Sequence, residues 1–283
     1  MALVLVMGSH VAGSRVGGTV VSLALALGPG AVEPVHVPTT LLGRHPGWGA
    51  PGGGPVAAGV MAGMIDGIAG NGLLGLLDAV ITGYATDPDQ VAVMAAAIDR
   101  VREARPGVLV LVDPVMGDDG RRYVAEGVAG AVMEQLVPRA DVLTPNVTEL
   151  GLLCPGADTS GAAGCLAAAR SLGRRVLVTS VPVERAGHMA ALWVDPDRPG
   201  TGLLLVHPVH AGAPRGTGDL VAASLLSGLV SGLDGAAAAA HATAVVVEVV
   251  RRSVLWQAPE LSLVAARDAL MAAPAVEAIE VAG

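Results

Sequence analysis

The chain has 283 residues, a formal net charge of −8 and a hydrophobic fraction of 52%, with only 2% aromatic residues. This length fits one large α/β domain or two small domains, and the acidic balance argues against a nucleic-acid partner, which would need a basic face. All 17 basic residues are Arg, so mechanisms that use a lysine nucleophile or a lysine Schiff base are excluded.

Short β-branched runs alternate with longer Ala-rich runs, which predicts a mostly parallel sheet with helices on both faces. The expected strands are 3–7, 32–37, 79–82, 108–114, 142–144 and 176–179. The expected helices are 17–27, 61–74, 90–103, 127–136, 146–153 and 161–172. Gly and Pro dominate residues 38–55, so this stretch is expected to be a loop.

The pattern changes in the last third of the chain. Runs 188–194 and 202–207 flank the sequence DPDRPG, which predicts a hairpin that adds antiparallel strands at one edge of the sheet. After residue 216 we expect helices to the end of the chain. No repeat and no linker interrupts the sequence, so one α/β domain is expected over residues 1–283.

The cysteines and the N-terminus indicate the compartment. Cys154 and Cys165 form neither a disulfide framework nor a zinc cluster, and both look like small core residues. The first residues lack the basic region of a signal peptide, and no apolar run reaches the roughly 20 residues of a membrane span. We therefore expect a cytoplasmic protein that makes no membrane contact.

Polar residues follow the expected strands, at the edge where ligands bind in a sheet of this kind. They are Ser9 and His10, Thr39, Thr82-Gly83-Tyr84, Asp113, Asn146 with Glu149, and Thr179 with Ser180. An active site requires such a collection of polar groups. Loops at this edge are polar in any case, so the pattern is not decisive by itself.

The sharpest motif is Gly216-Thr217-Gly218-Asp219, directly before an apolar helical run. Glycines allow close approach of a ligand to the backbone, and the amides at a helix N-terminus attract anions. Asp219 in the first turn is placed to accept a proton from a hydroxyl group. Together these features suit phosphoryl transfer, although GTGD alone is more often an ordinary helix start.

Three acidic or amide side chains are candidates for organising a metal ion. Asp113 follows a buried strand, where it would order water around a metal ion or merely end the strand at a turn. Asn146 and Glu149 are three residues apart, so they are expected on one helix face, where they would hold water around Mg²⁺. The alternative is a helix cap at Asn146 with an exposed Glu149.

Histidine and tyrosine supply candidate contacts for a substrate ring. His10 and His45 are candidate polar contacts, and Tyr84 ends a strand, where it could stack on a ring. Each has a structural alternative, either a satisfied histidine or edge packing of the tyrosine.

In their order and spacing these motifs resemble the pyridoxal kinases of the ribokinase-like superfamily. The resemblance spans nearly the whole chain and rests on Ser9-His10-Val11, Thr39, His45, Thr82-Gly83-Tyr84, DPVMG at 113–117, Tyr123-Val124, TPNVTEL at 144–150, VLVTS at 176–180 and GTGDL at 216–220. It implies a three-layer α/β/α fold with a mostly parallel central sheet.

The resemblance also implies a reaction, in which ATP phosphorylates the 5′-hydroxymethyl group of pyridoxal or a sister vitamer. Asp219 would be the base, and the amides of Gly216, Thr217 and Gly218 would stabilise the transferring phosphoryl group. The other implied roles are Mg²⁺ and phosphate organisation by Asp113, Asn146 and Glu149, ATP contacts by Thr179 and Ser180, and a pyridoxal pocket lined by Ser9, His10, Thr39, His45 and Tyr84. Family members are typically homodimers, and a monovalent cation such as K⁺ often assists them.

The chain departs from the family pattern around the acceptor. Gly13 and Leu42 stand where the family usually has aromatic residues, and Gly18 stands where it usually has Asn; a Phe that often precedes GTGD is absent too. Lost aromatic contacts of roughly 0.5–1.5 kcal/mol each predict weak binding of pyridoxal or a different substrate.

Two alternatives therefore stay open, a related hydroxymethylpyrimidine kinase and a non-catalytic binder of pyridoxal phosphate. A dinucleotide-binding oxidoreductase is excluded because the residues after the first strand lack the G-x-G-x-x-G spacing.

Overall fold

A computed structural model describes residues 2–282 of the chain, which form twelve strands in two sheets. In chain order they are β1 (Leu3–Val11), β2 (Glu33–Leu42), β3 (Gly53–Pro55), β4 (Ala79–Thr82), β5 (Leu109–Val112), β6 (Gly117–Asp118), β7 (Arg121–Arg122), β8 (Val142–Leu143), β9 (Arg175–Pro182), β10 (His188–Val194), β11 (Thr201–Pro208) and β12 (Glu277–Ala282).

The main sheet has ten strands in the order β12-β11-β10-β9-β8-β5-β4-β1-β2-β3, while β6 and β7 form a separate small hairpin. The six consecutive strands from β9 to β2 are parallel to one another. The strands at both ends, β3 on one side and β10 to β12 on the other, pair antiparallel. The expected hairpin at 188–207 is confirmed as β10 and β11.

Helices cover both faces of the sheet, which confirms the three-layer fold. They are α1 (Gly18–Leu27), α2 (Ala58–Gly70), α3 (Pro88–Ala104), α4 (Glu126–Ala131), α5 (Val147–Leu153), α6 (Ala162–Ser171), α7 (Thr217–Val230), α8 (Gly235–Leu255) and α9 (Arg267–Met271). One apolar core joins one face of the sheet to α2–α6, and a second joins the other face to α1 and α7–α9. None of the helices formed by residues 2–282 has the length and hydropathy of a membrane span.

The prediction that helices run to the end of the chain is wrong. Residues 277–282 form β12, which pairs antiparallel with β11 from Glu277↔Val206 to Ala282↔Thr201. The segment is mostly exposed, so it lacks the buried apolar run that identifies the parallel strands in the sequence. Its hydrogen bonds cover the free edge that β11 would otherwise present.

The loop expected at 38–55 is only partly a loop. β2 continues through Pro38 to Leu42, and β3 pairs back onto it. Proline lacks a backbone N–H and usually ends central pairing. Here Pro38 pairs with Gly8, the register of β1 and β2 shifts between Gly8 and His10, and the strand continues and buries Thr39 and Thr40.

The connections around β1 create the crevice in which ligands bind in open α/β sheets. β1 leads through α1, on one face, to its neighbour β2, and β2 leads through α2, on the other face, to β4 on the far side of β1. The chain therefore changes direction at the carboxyl ends of β1 and β4, which is where a doubly wound sheet opens a crevice.

A buried glutamine fixes the end of β2 beside this crevice. The Gln90 side-chain amide donates to the carbonyls of Thr39 at 2.8 Å and Val56 at 2.6 Å, and its oxygen accepts from the Thr86 amide at 2.8 Å. Gln90 is fully buried, so water cannot replace these bonds.

Replacing this side chain tests its bracing role. In Gln90→Met the Val56 carbonyl and the Thr86 amide lose their partner in the interior, so we expect unfolding in urea to require about 2–4 kcal/mol less free energy. The partly exposed Gln135→Met is the matched control and should stay within about 0.5 kcal/mol of the parent chain. Equal stability of the two variants would contradict the role given to Gln90.

Candidate active site

A cleft opens at the carboxyl ends of β1, β4 and β5. It is lined by Gly8, Gly17, Gly18, Thr82, Gly83, Tyr84, Asp113 and Asp219, among others. Three of the motifs singled out in the sequence, Thr-Gly-Tyr, DPVMG and GTGD, therefore meet there. The Thr82 hydroxyl is buried and has no hydrogen-bond partner among residues 2–282, so it is available to a polar group of a ligand.

The start of α7 forms one wall of this cleft. Gly216 precedes the helix with φ +90°, and a Cβ at this position would overlap the Arg15 carbonyl oxygen. Both facts require glycine. Within the described part of the chain no side chain caps the helix, so the amides of Thr217 and Gly218 stay available to an anion.

Asp219 is held by the start of a second helix. Its Oδ2 accepts a hydrogen bond from the Gly17 amide at 2.7 Å, across 202 positions of sequence. Burial raises the pKa of Asp219 to about 6, and the Gly17 hydrogen bond opposes this rise. A carboxylate with a pKa near 6 is mostly ionised at neutral pH and still accepts a proton readily.

Asp113 lies at the end of β5, close to two other acidic groups. Its Oδ1 accepts from the Thr144 hydroxyl at 2.9 Å. Burial raises its pKa well above the usual range, and the negative charges of Glu149 and Asp219 raise it further. The cleft thus concentrates more negative charge than its own hydrogen bonds compensate, which favours a bound cation.

Asn146 and Glu149 form a capping box rather than two residues of one helix face. Asn146 lies just before α5, where its Oδ1 accepts from the Glu149 amide at 2.9 Å and Glu149 Oε2 accepts from the Asn146 amide at 3.0 Å. The expected helix 146–153 therefore begins one residue later. The alternative was correct about the cap, but Glu149 is buried rather than exposed.

The second carboxylate oxygen of Glu149 connects α5 to the DPVMG motif. Oε1 accepts from the amides of Met116 at 2.9 Å and Gly117 at 3.4 Å, and Asn146 donates to the Gly117 carbonyl at 2.8 Å. Burial raises the pKa of Glu149 to about 7, although these amides lower it.

The acidic groups do not form a ready-made metal cage. Among residues 2–282, no group of three or more His, Cys, Asp or Glu side chains comes together to hold a metal ion. Any cation in the cleft would need ligands besides protein side chains, and Mg²⁺ usually takes such ligands from water and phosphate.

Of Ser9, Thr39 and Tyr84, the structure joins the last two directly, and Ser9 packs beside Gly17, which lines the cleft. Ser9 is buried against Gly17, where a Cβ would overlap its hydroxyl oxygen. The Thr39 hydroxyl donates to the Tyr84 carbonyl at 2.7 Å. Thr39 is fully buried, so in this structure its hydroxyl positions the Tyr84 backbone, while Tyr84 itself lines the cleft.

His45 anchors the loop between β2 and β3. Its amide donates to the Ser14 hydroxyl at 3.1 Å, and its Nδ1 accepts from the Gly47 amide at 3.0 Å. The neutral ring therefore carries its proton on Nε2. Burial, followed by the nearby Arg215 charge, lowers the pKa of His45, and its ring meets Trp48 edge-on at 6.4 Å.

The remaining candidate residues lie at separate points along the edge of the sheet where the parallel strands end. They are His10, Thr179 and Ser180. His10 is directed toward His36 on β2, with ring centroids 6.0 Å apart. Thr179 donates its amide to the Pro145 carbonyl at 2.9 Å and forms a bridge with Asn146. Ser180 has a left-handed φ of +60°, an uncommon conformation for a residue other than glycine.

The structure accounts for one missing aromatic residue. A Cβ at Gly13 would lie 2.6 Å from the Gly43 carbonyl oxygen, and the Gly13 amide donates to that oxygen at 2.8 Å. Position 13 therefore has no room for a side chain in this backbone.

Two contributors to the site were not found from the sequence. Gly17 enters the sequence analysis only as the first residue of an expected helix, and Thr144 only as part of an expected strand and of the motif TPNVTEL, so neither is a candidate site residue there. The signal for Gly17 was the doublet Gly17-Gly18, because glycine tolerates the φ of +60° that Gly17 adopts. Its partner Asp219 is too distant in sequence to be inferred from spacing.

Comparison with known proteins identifies relatives of this chain by sequence. The family model described as phosphomethylpyrimidine kinase matches residues 76–260. A pyridoxine/pyridoxal/pyridoxamine kinase of Bordetella avium is 39% identical over 231 residues, covering 79% of this chain and 76% of the relative. A pyridoxal kinase PdxY of Rubrobacter xylanophilus is 35% identical over 248 residues, covering 86% and 85%.

A solved structure agrees over almost the full length. The pyridoxal kinase of Leishmania donovani in complex with ADP and pyridoxamine superimposes with a TM-score of 0.89 at 27% identity, covering 99% of both chains.

The electrostatics of the cleft predict a measurable titration. We expect the Asp219 carboxyl carbon to titrate with a pKa of about 6 in ¹³C NMR, because the cleft disfavours its charged form. Asp99 is the internal control, since its hydrogen bond to Arg139 lowers its pKa. The signal is assigned to Asp219 by its loss in Asp219→Asn. A pKa at or below about 4, the usual range of an exposed aspartate, would contradict the account.

Proposed function

Because the chain belongs to the phosphomethylpyrimidine kinase family and has pyridoxal kinases among its relatives, we propose that it is a vitamin B6 kinase. It transfers the terminal phosphoryl group of ATP to the 5′-hydroxymethyl group of pyridoxal, pyridoxine or pyridoxamine. The resemblance drawn from the sequence motifs is confirmed by these relatives. The names of the Bordetella enzyme and the ligands of the Leishmania complex support all three vitamers as acceptors.

The observation that carries this function is the placement of Asp219. It stands in the first turn of α7, beside backbone amides suited to a phosphoryl group, in a cleft that also contains Tyr84 and the Thr82 hydroxyl. In the proposed reaction Asp219 accepts the proton of the acceptor hydroxyl as the oxygen attacks phosphorus. The amides of Gly216, Thr217 and Gly218 stabilise the charge on the transferring group.

The proposed acceptor pocket lies between β1, β2 and β4. Ser9 and Tyr84 face the ring, Thr39 holds the Tyr84 backbone, and His45 offers its Nε2 proton from the loop above. His10, whose ring lies 6.0 Å from that of His36, is a further proposed contact for the substrate. The pocket keeps few aromatic contacts, so we expect affinity for the acceptor to depend mainly on hydrogen bonds.

The proposed ATP site lies on the side of α5 and β9. Thr179 and Ser180, which lie on β9, contact phosphate oxygens, and Ser180 has a left-handed φ. Asp113, Asn146 and Glu149 would hold the water shell of Mg²⁺, which supplies positive charge to the phosphates when bound. The uncompensated negative charge around Asp113 supports this placement, and we extend the proposal to assistance by K⁺.

Three broader features complete the proposal. Residues 1–283 act as one kinase domain. The side chains of Leu41, Trp48 and Val60 are apolar and exposed. They support a homodimer whose interface lies at the edge of the sheet formed by β2 and β3. The use of ATP and the free thiols of Cys154 and Cys165 support a cytoplasmic location.

A hydroxymethylpyrimidine kinase is the second candidate. The description of the matched family model favours it, and its acceptor carries the same type of hydroxymethyl group. In this chain either reaction would use the same residues for phosphoryl transfer. Only the identity of the acceptor distinguishes the two candidate functions.

Acceptor turnover is therefore the primary test. With ATP, Mg²⁺ and K⁺, we expect product from at least one of pyridoxal, pyridoxine and pyridoxamine, and Asp219→Asn should lower kcat by roughly 10²–10⁴-fold because the base is lost. ADP binding by both proteins, measured by calorimetry, controls for folding. Turnover of hydroxymethylpyrimidine alone would show that it, and not a B6 vitamer, is the substrate. An Asp219→Asn variant with wild-type kcat would show that Asp219 is not the base.

The rate should also depend on pH in a defined direction. Asp219 must be ionised to accept the proton, and its pKa is about 6, so kcat/KM should be constant above that pH and fall about tenfold per unit below it. Asp113 and Glu149 also have raised pKa values, so the profile is recorded at saturating Mg²⁺, because a nearby cation favours their ionised forms. A profile that stays flat down to about pH 5, a full unit below that pKa, would contradict the assignment.

A further inference from the structure

The side chain of His36 joins two backbone segments of the active site. His36 lies on β2 and is partly buried, and its Nε2 is 3.2 Å from the Gly8 carbonyl oxygen at the end of β1. A carbonyl oxygen can only accept, so Nε2 is the donor and carries a proton. Burial, and secondarily the neighbouring His10, lower the pKa of His36, which keeps the ring neutral.

The same ring fills the space beside Gly18, the first residue of α1. A Cβ at Gly18 would overlap His36 Nε2 and would lie 2.6 Å from its Cε1 and 3.0 Å from the Ser9 carbonyl oxygen. The absence of a side chain at position 18 therefore allows the imidazole to reach Gly8. His36 and Gly18 act as a complementary pair.

The segments that His36 touches carry the chemistry of the cleft. Gly8 immediately precedes Ser9, and Gly18 immediately follows Gly17, whose amide donates to Asp219. Gly8, Gly17 and Gly18 all line the cleft. An imidazole that binds Gly8 and packs on Gly18 thus fixes the distance between the end of β1 and the start of α1.

We propose that His36 is a positioning residue for phosphoryl transfer, which holds Gly8 and Gly18 so that the Gly17 amide aims Asp219 at the acceptor hydroxyl. The inference rests on the proposed function for its kinetic consequence. His36 itself lies behind the cleft wall and acts through Gly8, Gly17 and Gly18.

Two substitutions separate the hydrogen bond from the mere presence of a side chain. His36→Ala removes both the donor and the ring, whereas His36→Gln retains an N–H at the same number of bonds from Cβ. We expect His36→Ala to lower kcat on the order of tenfold with KM for ATP unchanged within about twofold, and His36→Gln to recover most of the loss. His188→Ala is the matched control. His188 lies on β10, and its Nδ1 is 3.0 Å from the Ala186 carbonyl oxygen.

A second readout does not depend on turnover. Hydrogen exchange followed by NMR should show the Gly17 amide exchanging faster in His36→Ala than in the parent chain or His188→Ala, with the amides of β4 and β5 unchanged. Gly18→Ala should itself lower kcat, and this loss should shrink in the double variant Gly18→Ala/His36→Ala, because the added Cβ then meets only the Ser9 carbonyl oxygen, at 3.0 Å.

The outcomes are distinguishable. Unchanged kcat and unchanged Gly17 exchange in His36→Ala would overturn the inference. Faster exchange across the whole sheet, with kcat and KM for ATP affected together, would also overturn it, because His36 would then be only a stabilising residue. If the parent chain phosphorylates no acceptor, the proposed function fails, whereas the Gly17 exchange still decides whether His36 holds that amide.

Discussion

The hydrogen bond from the Gly17 amide to Asp219 connects the two halves of the active site. Gly17 precedes α1, and Asp219 lies in the first turn of α7, and these two helices pack together on one face of the sheet. The bond fixes one carboxylate oxygen, and in the proposed reaction the other oxygen accepts the proton of the acceptor hydroxyl. The surrounding backbone requires glycine at two positions. A Cβ at position 17 would overlap the Ser9 hydroxyl oxygen, and a Cβ at position 216 would overlap the Arg15 carbonyl oxygen.

Buried negative charge is the second constraint on the site. Asp113, Glu149 and Asp219 lie near one another, and burial raises the pKa of each. Of these three, Glu149 alone receives three backbone amides within the described chain, so the other two depend more on what binds in the cleft. The positive charge of a magnesium ion held among the phosphates of a nucleotide would offset this repulsion and favour the charged forms. The repulsion among buried carboxylates, which destabilises the folded chain, thus favours the binding of a cation.

The parallel strands and the motifs were largely predictable from the sequence, whereas the edge strands and the contacts between motifs were not. The run VLVLV at 108–112 has strand-forming residues without helical periodicity, and Leu109–Val112 form the mostly buried β5. By contrast, β12 is mostly exposed, and β2 continues past Pro38 with a shift in its register to β1. GTGD, DPVMG and Asn-x-x-Glu are local signals that predict candidate site residues, and the structure brings Asp113 and Asp219 to one cleft. The contacts of Gly17 with Asp219 and of His36 with Gly18 join separate elements, so they arise from packing and no local spacing encodes them.

The most direct test of the central claim is a crystal structure of the chain with ADP and pyridoxal. The account predicts that the 5′-hydroxyl oxygen lies about 2.6–3.2 Å from the free carboxylate oxygen of Asp219, while the other oxygen keeps its hydrogen bond to the Gly17 amide. A pyridoxal molecule bound with its 5′-hydroxyl directed away from Asp219, or an Asp219 side chain detached from Gly17 in that complex, would contradict the claim.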